Sequence, residues 1–364
     1  MFDWLIDSTL EIADFYRRGR FNAKERSSFY SKLGMLTKNG LNLKMALTTL
    51  YGVFSENGTK PNRIKAIVAD ECLAGQRAGK DIATTLMDWV PYEEAATIAA
   101  GARSEKGQHE ALLRARQIVK RKAEMRKLLT KALSYPTLLW VAMAGLLYYT
   151  SKTVMPNLIR MTKPENWDIT AQIMSVMANI VGEHGKLVLC VIFSIVACVI
   201  WSIGHVTGLP RVYLDRIPPW SIVRTVRGAT FLYNFGVLQA SGVKGLTILH
   251  GELKHANAYM KERIEGAIMG VKNGKNIGEA LHLAGHEFPS REAIEYLRVI
   301  APLNGGPEQM MEFAEDWMAD SMEQVEAIAA VLGNLSLIAV FGVMGFLLSG
   351  AGSIGMQAMG SMGQ

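Results

Sequence analysis

Three long stretches of the sequence contain no Asp, Glu, Lys or Arg. They cover residues 132–151, 187–210 and 327–364. Each reaches the roughly 20 residues that an α-helix needs to cross the hydrocarbon core of a bilayer, about 30 Å at ~1.5 Å per residue. The uncharged stretches therefore predict three transmembrane helices.

Two long polar segments follow a helical pattern. One precedes the first uncharged stretch, and the other lies between the second and the third. In the first segment, Leu33, Leu36, Leu47 and Leu50 recur at helical spacing, and proline is scarce in both. We expect an all-α membrane protein with two repeated cytoplasmic bundles of about six helices each. The predicted order is an N-terminal cytoplasmic segment (1–23), cytoplasmic helical domain 1 (24–131), transmembrane helix 1 (132–155), a periplasmic loop (156–185), transmembrane helix 2 (186–207), cytoplasmic helical domain 2 (208–326), transmembrane helix 3 (327–350) and a periplasmic tail (351–364).

The two polar segments contain similar sequence blocks in the same order. Residues 33–41 align with 235–243 at an offset of 202, and residues 75–82 align with 270–277 at an offset of 195. Because the offset is nearly constant, we interpret the segments as two copies of one domain. Glycine accepts the left-handed conformation that ends many helices. We expect four glycines of these blocks to have this conformation. They are Gly40, Gly79, Gly242 and Gly274.

One of these blocks resembles a phosphate-binding loop. Gly75 and Gly79-Lys80 are separated as in a loose version of that motif, but a Walker A loop has four residues between its glycines and a Ser or Thr after the Lys. This chain has three residues there, and Asp81 follows the Lys. We therefore expect a structural turn and no ATP hydrolysis by the chain itself.

The net charge of +6 is distributed unevenly. Residues 17–131 hold 23 Lys or Arg against 11 Asp or Glu, whereas residues 207–326 hold 12 against 15. Basic residues that flank an apolar stretch resist translocation. The clusters before the first stretch and after the second therefore predict a cytoplasmic N-terminus and a periplasmic C-terminus.

The basic stretch at residues 114–131 has two interpretations. Few aromatic residues interleave it, which disfavours a nucleic-acid surface. A solvated helix face that contacts anionic lipid is the simpler interpretation. We expect contact with the lipid bilayer and no nucleic-acid partner.

Glu279, His282 and His286 are spaced so that one helix face would hold three metal-capable side chains. However, Gly285 and Pro289 indicate that the helix ends there. A surface helix end with histidine near its C-terminus is the default interpretation, and a metal site is the alternative.

The sequence contains no HExxH, no GxSxG and no paired-cysteine spacing. We predict no enzyme activity and no cofactor. The apolar stretches hold almost no ionisable side chains, which a carrier normally needs to bind its substrate. This argues against transport, so a membrane transporter or permease subunit is kept only as the alternative function. A receptor that senses a ligand through residues 151–186 is a third interpretation.

Short motifs lie at the borders of the predicted helices. Tyr135-Pro136 enters the first apolar stretch, and Ser241-Gly242 is part of a Leu-Gln-Ala-Ser-Gly-Val block. Further positions of this kind are Gly40, Gly79, Pro156, Pro218, Gly274 and Pro289. Together they resemble the Ala-x-x-Tyr-Pro and Leu-x-x-Ser-Gly-Val signatures of the type II secretion F / type IV pilus inner-membrane platform family, also called GspF or PilC.

The resemblance implies a non-enzymatic, multi-pass platform in the bacterial inner membrane. Its implied partners are a cytoplasmic hexameric assembly ATPase, pilin or pseudopilin subunits, other inner-membrane assembly proteins and further copies of the chain. The family usually has a Gly-Glu-x-x-Gly-type turn late in each domain, and the Glu of that motif is missing from the corresponding residues 101–107 and 301–306. This departure indicates a divergent branch such as the plasmid-borne thin-pilus (PilR-like) proteins.

Opposite net charge on the two polar segments can orient a partner. On this argument we predict that two exposed basic and two exposed acidic residues border partner surfaces. They are Arg121, Lys122, Glu312 and Glu315.

Overall fold

The computed structural model describes residues 19–101, 105–161 and 167–362, and within these ranges all regular secondary structure is helical. The predicted all-α class is confirmed. The predicted N-terminal segment lies mostly outside the described residues. In chain order the helices are α1 (Ala23–Lys38), α2 (Leu43–Phe54), α3 (Ile64–Arg77), α4 (Ile82–Leu86), α5 (Tyr92–Gly101), α6 (Glu105–Tyr149), a π-helical turn (Thr150–Val154), α7 (Met155–Met161), α8 (Ile169–His205), α9 (Gly208–Leu214), α10 (Trp220–Ala240), α11 (Gly245–Lys254), α12 (Ala258–Lys272), α13 (Ile277–Ala284), α14 (Arg291–Ile300) and α15 (Gly306–Met362).

The chain divides into two compact units. The first comprises the residues up to Arg126 together with Val206–Met322, and the second comprises Lys127–His205 together with the residues from Glu323 onward. Both polar segments therefore fold into one unit. The prediction of two separate bundle domains is not confirmed.

The first unit has three apolar clusters. One lies among α1 to α6 and includes Phe29, Leu47 and Leu112. The second lies mainly among the helices of the later polar segment and also includes Ala96 of α5. The third joins the two segments, because Ile118 of α6 packs there with Tyr233 of α10 and Met318 of α15. Burial of this shared cluster favours one unit over two separate ones.

Four helices of the first unit end in the same turn. After α1, the N–H of Leu41 donates to the carbonyl of Leu36 at 3.2 Å, and the N–H of Gly40 donates to the carbonyl of Thr37 at 3.1 Å. This is the Schellman arrangement. The same pair of bonds closes α3, α10 and α12 around Gly79, Gly242 and Gly274. The four glycines have φ between 74° and 88°, which is the left-handed conformation expected for them.

Aligned positions of the two segments have similar surroundings. A Cβ on Gly34 would lie 3.5 Å from the Cβ of Leu112 on α6, and a Cβ on the aligned Gly236 would lie 3.2 Å from the Cβ of Ala314 on α15. Each glycine thus lets its helix approach the long helix that ends its own segment. The internal repeat itself stays a prediction from the sequence.

The second unit is held by contacts among α6, α8 and α15. The indole N–H of Trp140 donates to the hydroxyl of Ser336 at 3.2 Å, joining α6 to α15. The hydroxyl of Ser151 donates to the carbonyl of Ala178 at 2.6 Å, joining the π-helical turn to α8. Polar side chains therefore link these apolar helices through hydrogen bonds, as is common where water is excluded.

Three helices in the described part of the chain, α6, α8 and α15, are long and apolar enough to cross a membrane. Their outward side chains are apolar: Phe193 of α8 exposes 74% of its surface and Leu189 exposes 65%. Such an exposed apolar surface is unfavourable in water and favourable in lipid.

The helices extend further than the uncharged stretches predicted. Residues 156–185, predicted as a loop, hold most of α7 and the first part of α8, and α15 continues through the predicted tail to Met362. The backbone of α8 is non-helical at His184 (φ −109°, ψ 17°), so this helix has a kink close to residue 186, where the second transmembrane helix was predicted to begin.

Candidate functional site

A polar cavity of about 480 Å³ lies in the first unit, lined by residues of both polar segments. Residues of α5 and α6 form one side, and residues of α10, α11 and α12 form the other. Its charged and polar lining includes Glu93, Lys122, Arg227, Asn234, Glu252 and His255. We treat this cavity as the candidate functional site of the described residues.

An ion pair joins the two helices, α5 and α6, that form one side of the cavity. The ammonium group of Lys122 on α6 contacts Oε1 of Glu93 in the first turn of α5. Burial lowers the pKa of Lys122 to about 8, and nearby Glu252 opposes that shift. At neutral pH the lysine is therefore charged and pairs with Glu93. Glu93 also complements the positive N-terminal end of α5.

Across the cavity, Glu252 of α11 is held by Asn234 of α10. The amide nitrogen of Asn234 donates to Oε1 of Glu252 at 3.3 Å. Burial raises the pKa of Glu252, and the charge of Lys122 and the hydrogen bond from Asn234 act in the opposite direction. Asn234 is 2% exposed, and its Oδ1 atom has no hydrogen-bond partner among the described residues.

Tyr92 closes one edge of this contact between the polar segments. Its hydroxyl donates to the carbonyl of Thr247 at 3.3 Å, and its ring lies 6.4 Å from that of His255. The ring packs directly on Gly251, where a Cβ would come within 1.9 Å of the Tyr92 ring. A glycine at position 251 is therefore required for this approach.

The predicted partner-facing residues have different surroundings. Lys122 is not exposed as predicted, since it is paired inside the cavity. Arg121 and Glu315 both lie near Tyr233. Burial and, to a smaller extent, the charge of Glu315 raise the pKa of Tyr233 to about 12, and Arg121 opposes this shift. Glu312 is exposed on α15. Their role toward partners stays a prediction.

The block that resembled a phosphate loop is a helix end. The N–H of Lys80 donates to the carbonyl of Gly75 at 2.9 Å, inside the turn that closes α3. A Cβ on Gly75 would lie 2.3 Å from Oγ1 of Thr85, so this glycine permits close packing of α3 on α4. Asp81 then caps α4 by accepting from the N–H of Thr84 at 2.6 Å. The arrangement is that of a structural turn.

The histidine cluster does not share a helix face. Helix α13 ends at Gly285, which has φ of 71°, so His286 lies beyond it. Glu279 accepts from Nε of Arg298 at 2.9 Å, and Nδ1 of His282 lies 3.4 Å from Oε1 of Glu295. Among the described residues no group of three or more metal-capable side chains comes together.

The family-motif residues are distributed over both units. In the second unit, Tyr135 lies against Gly333, where a Cβ would be 3.2 Å from the tyrosine ring, and Pro136 lies within α6. Both line a cavity of about 450 Å³ with Ala329 of α15. Ala329 and Gly333, a small-residue pair, thus meet another helix of the same chain.

In the first unit, Ser241 ends α10 and Pro289 packs on Gly228, where a Cβ would be 2.7 Å from the proline Cβ. Pro218 precedes α10, and Pro156 is the second residue of α7. The motif residues mark helix ends and helix contacts. No catalytic arrangement forms around them among the described residues.

Sequence reasoning missed the groups that join the two segments. Glu252, Asn234 and Tyr92 did not stand out, because isolated polar residues in amphipathic helices give no periodic signal. Only the alternation of buried and exposed positions along α10 and α11 would have marked Asn234 as a polar residue on an apolar face.

The fold and the exposed apolar helices define an integral membrane protein with a helical soluble unit. A family model described as Type II secretion system (T2SS), protein F matches residues 231–353, from within α10 to within α15. Residues 231–353 are therefore similar to protein F of the type II secretion system, and this match together with the three long apolar helices indicates an inner-membrane protein. The resemblance seen in the sequence motifs is thereby confirmed. No curated protein and no solved structure gives a significant match.

Proposed function

We propose that this chain is a multi-pass inner-membrane platform protein of a type IV pilus or type II secretion assembly machine. In this role it couples a cytoplasmic assembly ATPase to the insertion of pilin or pseudopilin subunits into a fibre. The observation that carries the proposal is the family match over residues 231–353, which includes most of the apolar helix α15.

The continuity of the long helices supports a coupling role. Helix α15 has 57 residues and α6 has 45; at ~1.5 Å per residue, α15 is about 85 Å long. Each begins in a charged region and continues into an uncharged one. Because each helix has both a polar and an apolar part, it can transmit a displacement from one to the other, although Pro136 removes one backbone hydrogen bond within α6.

The topology that we propose follows the basic flanks. The N-terminus and the first unit lie in the cytoplasm, and the C-terminus lies in the periplasm, since basic residues before the first apolar stretch and after the second resist translocation. The ATPase then meets the first unit, and pilin helices meet the apolar side chains of the three long helices.

We also infer that the protein is not an enzyme and needs no cofactor. In the polar cavity Lys122 and Glu93 neutralise each other, and Glu252 is held by Asn234. The first contact joins α5 to α6 within the first polar segment, and the second joins α10 to α11 within the other. They support a structural use of the cavity.

Photo-crosslinking in cells tests the proposal. A photoreactive amino acid is placed at Lys44 on α2 and at Glu295 on α14, both exposed, and the adducts are identified by mass spectrometry. Leu189 on α8 is the matched control, since its side chain belongs to an apolar helix. We expect an assembly ATPase at Lys44 or Glu295, and pilin, assembly-membrane proteins or lipid at Leu189.

The opposite result is equally clear. If cells that are assembling fibres yield only lipid and the chain itself at all three positions, the platform proposal is wrong. Substrate flux into vesicles that contain the purified chain would then support the permease alternative.

A further inference from the structure

Helix α9 and the turn after it have the reverse of the usual polarity. Arg211 is fully buried and Asp215 is 6% exposed, whereas Leu209 exposes 78% of its surface and Tyr213 exposes 71%. A surface helix in water normally buries its apolar side and exposes its charges. Val212 and Ile217, 46% and 51% exposed, extend the same outward apolar face.

The buried charges contact one another. Nε of Arg211 donates to Oδ1 of Asp215 at 2.8 Å, and Nη2 of Arg263 on α12 donates to Oδ2 of the same carboxylate at 3.2 Å. The two guanidinium groups lie 4.2 Å and 3.6 Å from the ring centre of Tyr259. Ion pairs with such hydrogen bonds and ring contacts are tolerated in the interior.

A further contact fixes the orientation of the helix. The N–H of Gly208, the first residue of α9, donates to Oε1 of Glu262 on α12 at 3.1 Å. With Arg211 and Asp215 also bound to α12 residues, α9 cannot rotate its apolar face inward without breaking a buried charge network. The outward apolar face is therefore built into the fold.

The chain tethers this face to an apolar helix. Leu209 follows His205, the last residue of α8, by four residues, so the two are at most ~14 Å apart along an extended chain. The apolar side chains of α8 are those that favour lipid. Because α9 begins so close to the end of α8, α9 can reach the surface of the bilayer that α8 crosses.

We propose that the outward face of α9 and its following turn lies in the headgroup layer of the bilayer that α8 crosses. Leu209, Val212 and Ile217 insert apolar side chains below the phosphates, and Tyr213 occupies the polar–apolar boundary that tyrosine prefers. Arg216, exposed beside them, meets the lipid phosphate. The proposal rests on α8 spanning a bilayer and not on the partners proposed above.

Depth-dependent fluorescence quenching in the full-length protein tests this proposal. Leu209→Cys, Tyr213→Cys and Ile217→Cys are each labelled with an environment-sensitive fluorophore, with the native Cys72, Cys190 and Cys198 replaced by alanine. The protein is reconstituted into phosphatidylethanolamine and phosphatidylglycerol vesicles. Quenchers are iodide in the water and lipids that carry a doxyl group near the headgroup or deep in the acyl chain.

Two control positions have matched exposure. Met269→Cys lies on α12 of the first unit with 70% exposure, and Phe193→Cys lies on α8 with 74%. We expect the three α9 positions to be quenched by the shallow doxyl lipid about twofold more than Met269→Cys and to resist iodide. Phe193→Cys should respond most to the deep doxyl lipid.

Three results would overturn the proposal. In the first, iodide quenches the α9 positions as strongly as Met269→Cys and doxyl lipid does not quench them. In the second, the α9 positions are shielded from both quenchers, which indicates a protein partner or a second copy. In the third, Phe193→Cys shows no lipid quenching, which means that α8 does not lie in the bilayer.

Discussion

Nη1 of Arg114, in the first polar segment, donates to the hydroxyl of Ser241 in the second at 3.1 Å. The same nitrogen also lies 3.1 Å from the carbonyl oxygen of Ala240. Ser241 ends α10 and belongs to the family motif, and a cation at that end complements the helix dipole. A residue of the basic stretch thus caps a helix that is 127 positions away in sequence.

We predict that Arg114→Ala destabilises the first unit by about 1–2 kcal/mol, since it removes charge-assisted hydrogen bonds that are partly shielded from water. The measurement is the thermal unfolding midpoint of the purified protein in detergent. Arg116→Ala is the matched control, because Arg116 is exposed on the same helix. Equal midpoints for the two variants would show that the contact contributes no stability.

Two glycine substitutions should have effects of opposite sign. A Cβ on Gly278 would lie 2.2 Å from the backbone nitrogen of Arg298, whereas a Cβ on Gly52 would meet only Asn57 Oδ1, at 3.5 Å. We expect Gly278→Ala to cost about 1–3 kcal/mol by overpacking and Gly52→Ala to stabilise α2 by about 0.5–1 kcal/mol through helix propensity. Thermal unfolding checks both signs, and destabilisation by Gly52→Ala would contradict the argument.

The aligned glycines at the ends of α3 and α12 should respond alike. Gly79 and Gly274 have φ of 74° and 75° and open space around a Cβ. Gly79→Ala and Gly274→Ala should each cost about 1–2 kcal/mol, because an L-residue pays for the left-handed conformation. Asn at either position should cost less, since Asn tolerates that conformation. An alanine effect that appears at only one position would count against structural equivalence of the two segments.

The Glu252 carboxyl should make stability depend on pH. Its pKa is raised in the folded chain, so its contribution is fully present below the unfolded value of about 4.3 and is lost as pH rises through the raised value. Lys122 and His255 face this group and oppose the shift. Glu252→Gln cannot ionise, so the unfolding midpoint of wild type relative to Glu252→Gln should fall as pH rises.

The control for this pH series is Glu292→Gln, an exposed position on α14, whose difference from wild type should vary less. The midpoints are measured in the same detergent at each pH. A wild-type minus Glu252→Gln difference that stays constant, or rises with pH, would be inconsistent with the direction of the shift.

Glu312 is the predicted partner-facing acid that is exposed in the structure. If it borders the surface of a partner, Glu312→Lys should reduce fibre assembly strongly and Glu312→Gln only weakly, because charge reversal adds repulsion to the loss of attraction. Both variants should keep the wild-type unfolding midpoint, since exposed charges contribute little to stability. Normal fibre assembly with Glu312→Lys would remove this residue from the partner surface.

Features that depend on neighbouring residues were predictable from the sequence. The glycine turns around Gly40, Gly79, Gly242 and Gly274 have the expected conformation, since a helix end depends on a few adjacent residues. The apolar stretches identified the three long apolar helices for the same reason. The helices continue beyond several of the predicted spans, because a charged residue changes where a helix meets water without necessarily ending the helix.

Contacts between distant segments were not predictable. Lys122 was expected at an exposed surface, but it is paired with Glu93. In the sequence each of the two lies in a charge pattern typical of a solvated helix, and nothing there links one to the other. Each polar segment also looked like a separate bundle, because its apolar positions suffice for a core of its own. The cluster of Ile118, Tyr233 and Met318 that joins them has no signature in either segment alone.

The sequence by itself determined the helical class, the three long apolar helices, the glycine turns and the resemblance to the family that residues 231–353 match, because these depend on composition, periodicity and short motifs. Only the tertiary structure decided that the two polar segments form one unit, that Lys122 is paired with Glu93, and that α9 buries Arg211 while exposing Leu209 and Tyr213. Each of these depends on which side chain of another helix lies opposite. A buried charge costs free energy, and the fold tolerates it only where an opposite charge or hydrogen-bond partner offsets that cost.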